Sequence, residues 1–225
     1  MTPTEQNNHS RSQSSTSVRK IPAYFGDIMS SRQTSLTFPG GFSGMERIVL
    51  TANGNLQRIF SAFFNLPVTV DILKNEPLPP NARFDDESDS ETDTITPVLQ
   101  RYDREVNLCC GKVVVCNARS RILIRDANVL DMVVNRGVGI GQLFRYFDKL
   151  PKFILHAVGR RRHSWWREYS LRMSGVECRI RETFLVDMFE EGWFERAEAS
   201  GDGNVSLLVE SDTDGDTTWV FESDC

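Results

Sequence analysis

Four segments of this chain have the residue pattern of β-strands, three of them with apolar and polar residues that alternate with a period of two, and they restrict its fold most. The segments span 101–108, 112–125, 165–174 and 177–186. Such alternation is typical of strands with one buried and one exposed face. The last two are joined by the turn Ser174-Gly175, and the chain lacks the regular strand-then-helix order of a parallel sheet. We therefore predict an α+β fold, in which helices flank a single antiparallel sheet.

Shorter patterns predict the remaining elements. Apolar residues at helical spacing over 56–64 predict a helix, which follows a first helical stretch from about residue 44 and a break at Asn53-Gly54. Residues 68–73 alternate as a strand. A glycine-rich segment predicts a helical piece near 141–149. Near the C-terminus, two alternating runs around the turn at 212–216 predict a hairpin.

Charge is distributed unevenly along the chain, although the net charge is only −5. Residues 85–93 hold six acids, and residues 182–225 hold thirteen acids and the single base Arg196. Outside these two segments the chain has 25 bases and 12 acids. This basic remainder indicates a negatively charged partner, from a small organic acid to nucleic acid.

Composition divides the chain into three parts. Residues 1–40 are rich in Ser, Thr, Gln and Asn, so we predict that they are disordered. Residues 41–195 form the folded domain, with an exposed acidic insertion at 84–95, and residues 196–225 form an acidic C-terminal hairpin or tail. We expect a cytoplasmic monomer, since there is no secretory signal, no membrane-spanning apolar stretch, and an odd number of cysteines without metal-ligand spacing.

Three strands each place one charge on a face that is otherwise apolar. Arg104 shares a face with Tyr102 and Val106, Arg167 lies among Trp165 and Tyr169, and Glu182 lies among Cys178, Ile180 and Phe184. One interpretation is a buried Arg–Glu ion pair, or a strand end at which the charge reaches water. The other is a closed pocket, where guanidinium groups bind a carboxylate and a buried glutamate transfers a proton. The residue pattern leaves both open.

Three other motifs are weaker. The loop Gly137–Gly141 before a helix could bind an anion through backbone N–H groups, or simply ease a tight turn. The aspartates of the turn at 212–216 fit a polar hairpin better than a calcium loop. Arg160–His163 and the following tryptophans could bind nucleic acid. A solvated turn is favoured there, because the acidic tail would compete with a polyanion, and we expect no nucleic-acid partner.

Four segments in succession, at residues 44–60, 102–122, 139–147 and 165–185, resemble the chorismate pyruvate-lyase family, and most closely its branch of small archaeal and mycobacterial lyase-like proteins. The resemblance covers roughly residues 44–188. It implies an antiparallel sheet whose flanking helices enclose a buried ligand pocket. It also implies conversion of chorismate to 4-hydroxybenzoate, or an isomer, and pyruvate, without cofactor or metal, in aromatic specialised metabolism or quinone-type biosynthesis.

The resemblance also implies roles for individual residues. Arg104 would bind the ring carboxylate, together with backbone N–H groups of Ile140 and Gly141. Glu182 would lie at the opposite end of the ligand and, when protonated, donate toward the ether oxygen. Either Arg167 or Arg119 would contact the enolpyruvyl carboxylate.

Asn55 departs from the family, which often has an apolar pocket-lining residue at this position. Two other functions remain open. A protein of the same fold could bind a small aromatic acid as a non-catalytic sensor, although no helix-turn-helix is evident. Alternatively, the protein could act through its acidic segments as an interaction protein.

Overall fold

The computed structural model describes residues 17–21, 28–30, 33–34, 38–79, 82, 97–136, 138, 143, 146, 151–200 and 216–221. Four described helices are α1 (Gly44–Thr51), α2 (Leu56–Phe64), α3 (Ala127–Val134) and α4 (Trp193–Ser200). The described strands are β1 (Ser17–Ile21), β2 (Ile28–Ser30), β3 (Gln33–Thr34), β4 (Val68–Leu78), β5 (Gln100–Cys110), β6 (Val113–Ile124), β7 (Lys152–Arg160), β8 (Ser164–Met173), β9 (Val176–Leu185) and β10 (Thr217–Phe221).

Eight of these strands form one sheet in the order β1-β10-β7-β8-β9-β6-β5-β4. All neighbouring strands in it are antiparallel except β1 and β10, which are parallel. Among the described strands, the short β2 and β3 pair only with each other. The predicted α+β class, with helices and a mostly antiparallel sheet, is therefore confirmed.

Two tight turns fix the register of the central strands. Gly111 and Gly175 have positive φ angles of 57° and 81°, which glycine adopts without steric cost. Through the second turn Met173 pairs with Val176, so β8 and β9 form a two-residue hairpin. The four strands β5, β6, β8 and β9 lie within about two residues of their predicted bounds, because strand-forming residues continue up to these turns.

The sheet contains three strands that the sequence analysis did not assign to it. In β7 a register shift between Leu155 and Ala157 interrupts the period of two. β1 lies in the segment predicted to be disordered, and β10 lies in the predicted acidic tail, yet the two pair with each other along five residues. Ser17–Ile21 is therefore an ordered strand within the segment that we predict to be mostly disordered. Residues 217–221 belong to the sheet rather than to a separate tail.

Several other predictions concern residues outside the described part of the chain. These are the acidic insertion at 84–95, the first arm of the C-terminal hairpin, and the helical piece at 141–149 apart from Leu143 and Tyr146.

The helices α1 and α2 cover one face of the sheet, which we call the inner face. A capping box starts α1: the Glu46 N–H donates to Ser43 Oγ, and the Ser43 N–H donates to Glu46 Oε2. Phe60 of α2 packs edge-on against Phe184 of β9, with ring centroids 6.0 Å apart. These contacts place the hydrophobic core between the helices and the inner face.

Strand pairing arranges the inner face in rows. Residues directly opposite each other on paired strands share a face. One row contains Arg104, Ser120, Ile180 and Tyr169, and the next contains Val106, Ala118, Glu182 and Arg167. The three charges that alternation singled out are thus on the same face of the sheet.

Candidate functional site

Arg167 and Glu182 form a buried ion pair at the centre of the inner face. They lie directly opposite each other on β8 and β9, and Arg167 Nε donates to Glu182 Oε2 at 2.6 Å. The two residues are 0% and 5% exposed. Burial is the largest single effect and lowers the pKa of Arg167, but the charge and hydrogen bond of Glu182, together with Tyr169 and Cys116, outweigh it and the net pKa is raised. The arginine is therefore a permanent cation in the core.

The same guanidinium fastens the end of α1 to the sheet. Arg167 Nη1 donates to the backbone oxygens of Val49, Leu50 and Ala52 at 2.8, 3.3 and 2.7 Å. The last carbonyls of a helix have no partner within the helix and carry its negative dipole end, so a cation is favourable there. Within the described residues, Nη2 of Arg167 is buried and has no hydrogen-bond partner. This nitrogen is an unused donor on the inner face.

Tyr169 completes a network around the carboxylate. Its hydroxyl donates to Glu182 Oε1 at 2.9 Å, and the Arg167 Cζ atom lies 4.5 Å from the centre of its ring. Burial, followed by the charge of Glu182, raises the pKa of Tyr169 well above its ordinary value. Both carboxylate oxygens accept hydrogen bonds, which is the pattern of an ionised group. Sequence reasoning placed Tyr169 on this face but gave it no role.

Arg104 is the second cation of the inner face, and its surroundings differ from those of Arg167. It is half-buried, and within the described part of the chain its guanidinium makes no hydrogen bond or ion pair. Burial lowers its pKa, partly offset by the nearby Cys178 thiol. Strand spacing and rise put the Arg104 and Glu182 Cα atoms about 12 Å apart, two strands across and one row along. The inner face thus carries the guanidinium of Arg104 and, two strands away, the buried carboxylate of Glu182 with its two donors.

The remaining predicted site residues are not brought together with this pair. Arg119 is on the opposite face of β6, where its Nε lies 3.2 Å from Glu105, so it cannot reach the same ligand as Arg104. Asn55 is exposed and stands at the start of α2 with a left-handed backbone, φ 58°. Ile140 and Gly141 lie outside the described residues.

Buried thiols surround the site without taking part in the network. Cys116 is fully buried, and burial, followed by the charge of Glu182, raises its pKa well above the ordinary value. Burial raises the pKa of Cys178 to about 12. These protonated thiols act as small apolar groups rather than as nucleophiles.

Comparison with models of known protein families and with curated proteins found no match for this chain. In the part of the chain that the structure describes, no helix is long and apolar enough to cross a membrane.

Proposed function

We propose that this protein is a lyase that eliminates pyruvate from chorismate and releases 4-hydroxybenzoate or an isomeric hydroxybenzoate. The observation that carries the proposal is the half-buried, unpaired Arg104 on the same sheet face as the buried Glu182. An unpaired guanidinium beside the core suits a ligand carboxylate, which binds its planar fork with two hydrogen bonds. The choice of chorismate among carboxylate ligands comes from the family resemblance.

In the proposed reaction Arg104 anchors the ring carboxylate. The ionised Glu182 accepts the proton from the ring carbon that carries the hydroxyl group. The C–O bond of the enolpyruvyl ether breaks, its electron pair leaves with the oxygen, and the electrons of the broken C–H bond complete the aromatic ring. Glu182 then returns its proton to the departing enolpyruvate, which becomes pyruvate.

In these steps Glu182 begins as the proton acceptor, whereas the family resemblance implies a protonated Glu182 that donates first. Arg167 and Tyr169 already donate to both oxygens of Glu182, so the carboxylate starts as an acceptor with lone pairs to spare. Nη2 of Arg167, which has no hydrogen-bond partner among the described residues, would donate to the enolpyruvyl carboxylate. Because these donors are held by the sheet and by α1, little reorganisation is needed when charge develops.

The test is incubation of the purified protein with chorismate, with pyruvate measured by a coupled dehydrogenase assay and the aromatic acid identified by chromatography. Arg104→Ala should lower kcat/KM by at least about a hundredfold, since it removes a bidentate charged contact. Glu182→Gln should abolish pyruvate release while 4-hydroxybenzoate still binds. Arg58→Gln, an exposed arginine on α2, is the matched control and should react like the wild type.

Two results would overturn the proposal. The first is full pyruvate release by a folded Arg104→Ala protein. The second is saturable 4-hydroxybenzoate binding by the wild type with no pyruvate release from chorismate, which would identify a binding protein of the same fold.

A further inference from the structure

Strand β4 forms one edge of the sheet, and part of it is open to pairing with a further strand. Among the described strands β4 pairs only with β5, so the backbone groups on its other side have no strand partner there. Its residues from Thr69 to Leu73 are all exposed. Val70, Ile72 and Leu73 expose 41, 57 and 48% of their surface. Exposed apolar side chains along an unpaired edge favour association with another strand.

Only the first half of β4 is open in this way. Leu73 is an extra residue in the pairing with β5, and such a bulge bends the strand. Lys74 and Pro77 follow it, and proline has no N–H to donate to a neighbouring strand. A bulge, a lysine and a proline are features by which proteins keep edge strands from pairing. Residues 68–72, which we call the open segment, contain none of them.

The opposite edge of the sheet is protected along its length. This edge is β1, and two of its five residues, Arg19 and Lys20, are cations. Charged side chains, lysine above all, keep edge strands apart. Of the two described edges, the open segment is therefore the one suited to pairing with another chain.

The apolar side chains of the open segment are complementary to themselves. In a symmetric antiparallel pair, a twofold axis perpendicular to the sheet passes through one position, here Val70. Val70 then faces the partner's Val70, and Val68 faces the partner's Ile72. These three residues are on the inner-face side of β4, because they lie opposite alternate residues of β5 that point inward. The pair would thus form a continuous apolar row of β-branched side chains.

The polar side chains match in the same register. On the other side of β4, Thr69 faces the partner's Asp71, and Asp71 faces the partner's Thr69. The threonine hydroxyl can donate a hydrogen bond to the carboxylate in both pairs. A pair centred on Asp71 would instead place two carboxylates opposite each other. A pair centred on Ile72 would place Val70 opposite the partner's Lys74. Both faces therefore favour the register centred on Val70.

We propose that the open segment pairs with the same segment of a second copy of this chain, so that two eight-stranded sheets join into one continuous sheet. Five paired residues form about four to six backbone hydrogen bonds. This interface is smaller than the roughly 800 Å² per partner of a stable complex, so the dimer should be weak, with a Kd of about 10–100 μM. The proposal replaces the monomer that we expect from the sequence. It does not depend on the proposed lyase activity.

The test is sedimentation velocity of the full chain at about 5–300 μM, a range that spans the expected Kd. The sedimentation coefficient of the wild type should rise with concentration from that of a monomer toward that of a dimer. Thr69→Asp should raise the Kd by about fivefold or more, because it places a carboxylate opposite the partner's Asp71 in two pairs. Thr69→Asp combined with Asp71→Lys makes both pairs oppositely charged and should restore the wild-type Kd to within about threefold.

Two further variants separate this pairing from general effects of charge and folding. Arg162→Gln changes the net charge by the same amount as Thr69→Asp, but it lies on the exposed turn between β7 and β8, and its Kd should stay within about twofold of the wild type. Val70→Lys places two lysines opposite each other and tests the register if Thr69→Asp unfolds. Circular dichroism shows which variants are folded.

Four results would overturn the proposal. The first is a wild type that stays monomeric over the whole concentration range, as it would if another part of the chain covered the open segment. The second is a folded Thr69→Asp or Val70→Lys protein that dimerises as tightly as the wild type. The third is a double variant that dimerises as weakly as Thr69→Asp. The fourth is an equal weakening by Arg162→Gln. Any pyruvate release from chorismate by Thr69→Asp should equal that of the wild type, so this test and that of the lyase activity fail separately.

Discussion

Replacement of Arg167 by Met should reduce the stability of this protein more than replacement of any exposed arginine. The side chain is 0% exposed and its guanidinium serves both Glu182 and the last carbonyls of α1. Methionine fills much of the same volume, so the main loss is electrostatic. The substitution leaves the ionised carboxylate of Glu182 in the core with only Tyr169 as a hydrogen-bond donor.

The expected magnitude follows from the cost of breaking a buried ion pair. Removing one partner destabilises a protein by about 3–5 kcal/mol, because the other charge stays buried without compensation. Removing both charges should cost less, since Arg167→Met with Glu182→Met leaves no charge to desolvate and can approach neutrality to within about 2 kcal/mol. If each single variant loses about 3–5 kcal/mol and the double variant at most about 2 kcal/mol, the double-mutant cycle should give a coupling free energy of at least about 4 kcal/mol.

Urea unfolding followed by tryptophan fluorescence measures these changes, since Trp165 and Trp166 flank the site on β8. With an m-value of about 2.5 kcal/mol/M, Arg167→Met should lower the unfolding midpoint by about 1.2–2 M. The m-value should stay constant, which shows that stability and not compactness has changed. A loss below about 1 kcal/mol for Arg167→Met, or a double variant that simply adds the two single losses, would refute the reasoning.

Three further predictions follow from packing and burial. Gly159→Ala should lower stability by about 1–3 kcal/mol and shift the tryptophan emission, because the added methyl group overlaps the Trp166 indole. Ser43→Ala should cost about 1 kcal/mol in thermal or urea unfolding, since the Glu46 N–H loses its acceptor. Stability should also fall as pH rises from 9 to 12, because the unfolded Cys178 thiol ionises near pH 9.0 and the native thiol only near 12. Cys178→Ala should flatten this decline in pH-dependent unfolding.

The parts of the fold that could be predicted are those fixed by local sequence. β5, β6, β8 and β9 consist of strand-forming residues that continue up to the glycine turns joining them, so residue pattern and turn chemistry agree. β7 contains a bulge at His156 that breaks the alternation. β1 and β10 depend on pairing between residues about 200 positions apart, as in Ser17 with Thr217. No local sequence pattern indicates that residues so far apart in the chain will pair.

One part of the candidate site could also be predicted from local sequence, and another part could not. The turn Ser174-Gly175 sets the register of β8 on β9, and counting outward from it places Arg167 opposite Glu182. The ion pair could therefore have been read from the sequence once the turn was recognised. The position of Arg119 opposite Arg181 could not, because it requires β6 and β9 to be neighbours, and their pairing is not set by a short turn.

In strand β9 the residues on both faces of the sheet specify the same register. In β9, Glu182 and Ile180 point inward while Arg179 and Arg181 point outward. A slip of one residue would exchange the two sets and bury both arginines without carboxylates, so the inner ion pair and the outer charges specify the same register. On the inner face Arg167 is balanced by Glu182, whereas Arg104 makes no ion pair within the described part of the chain.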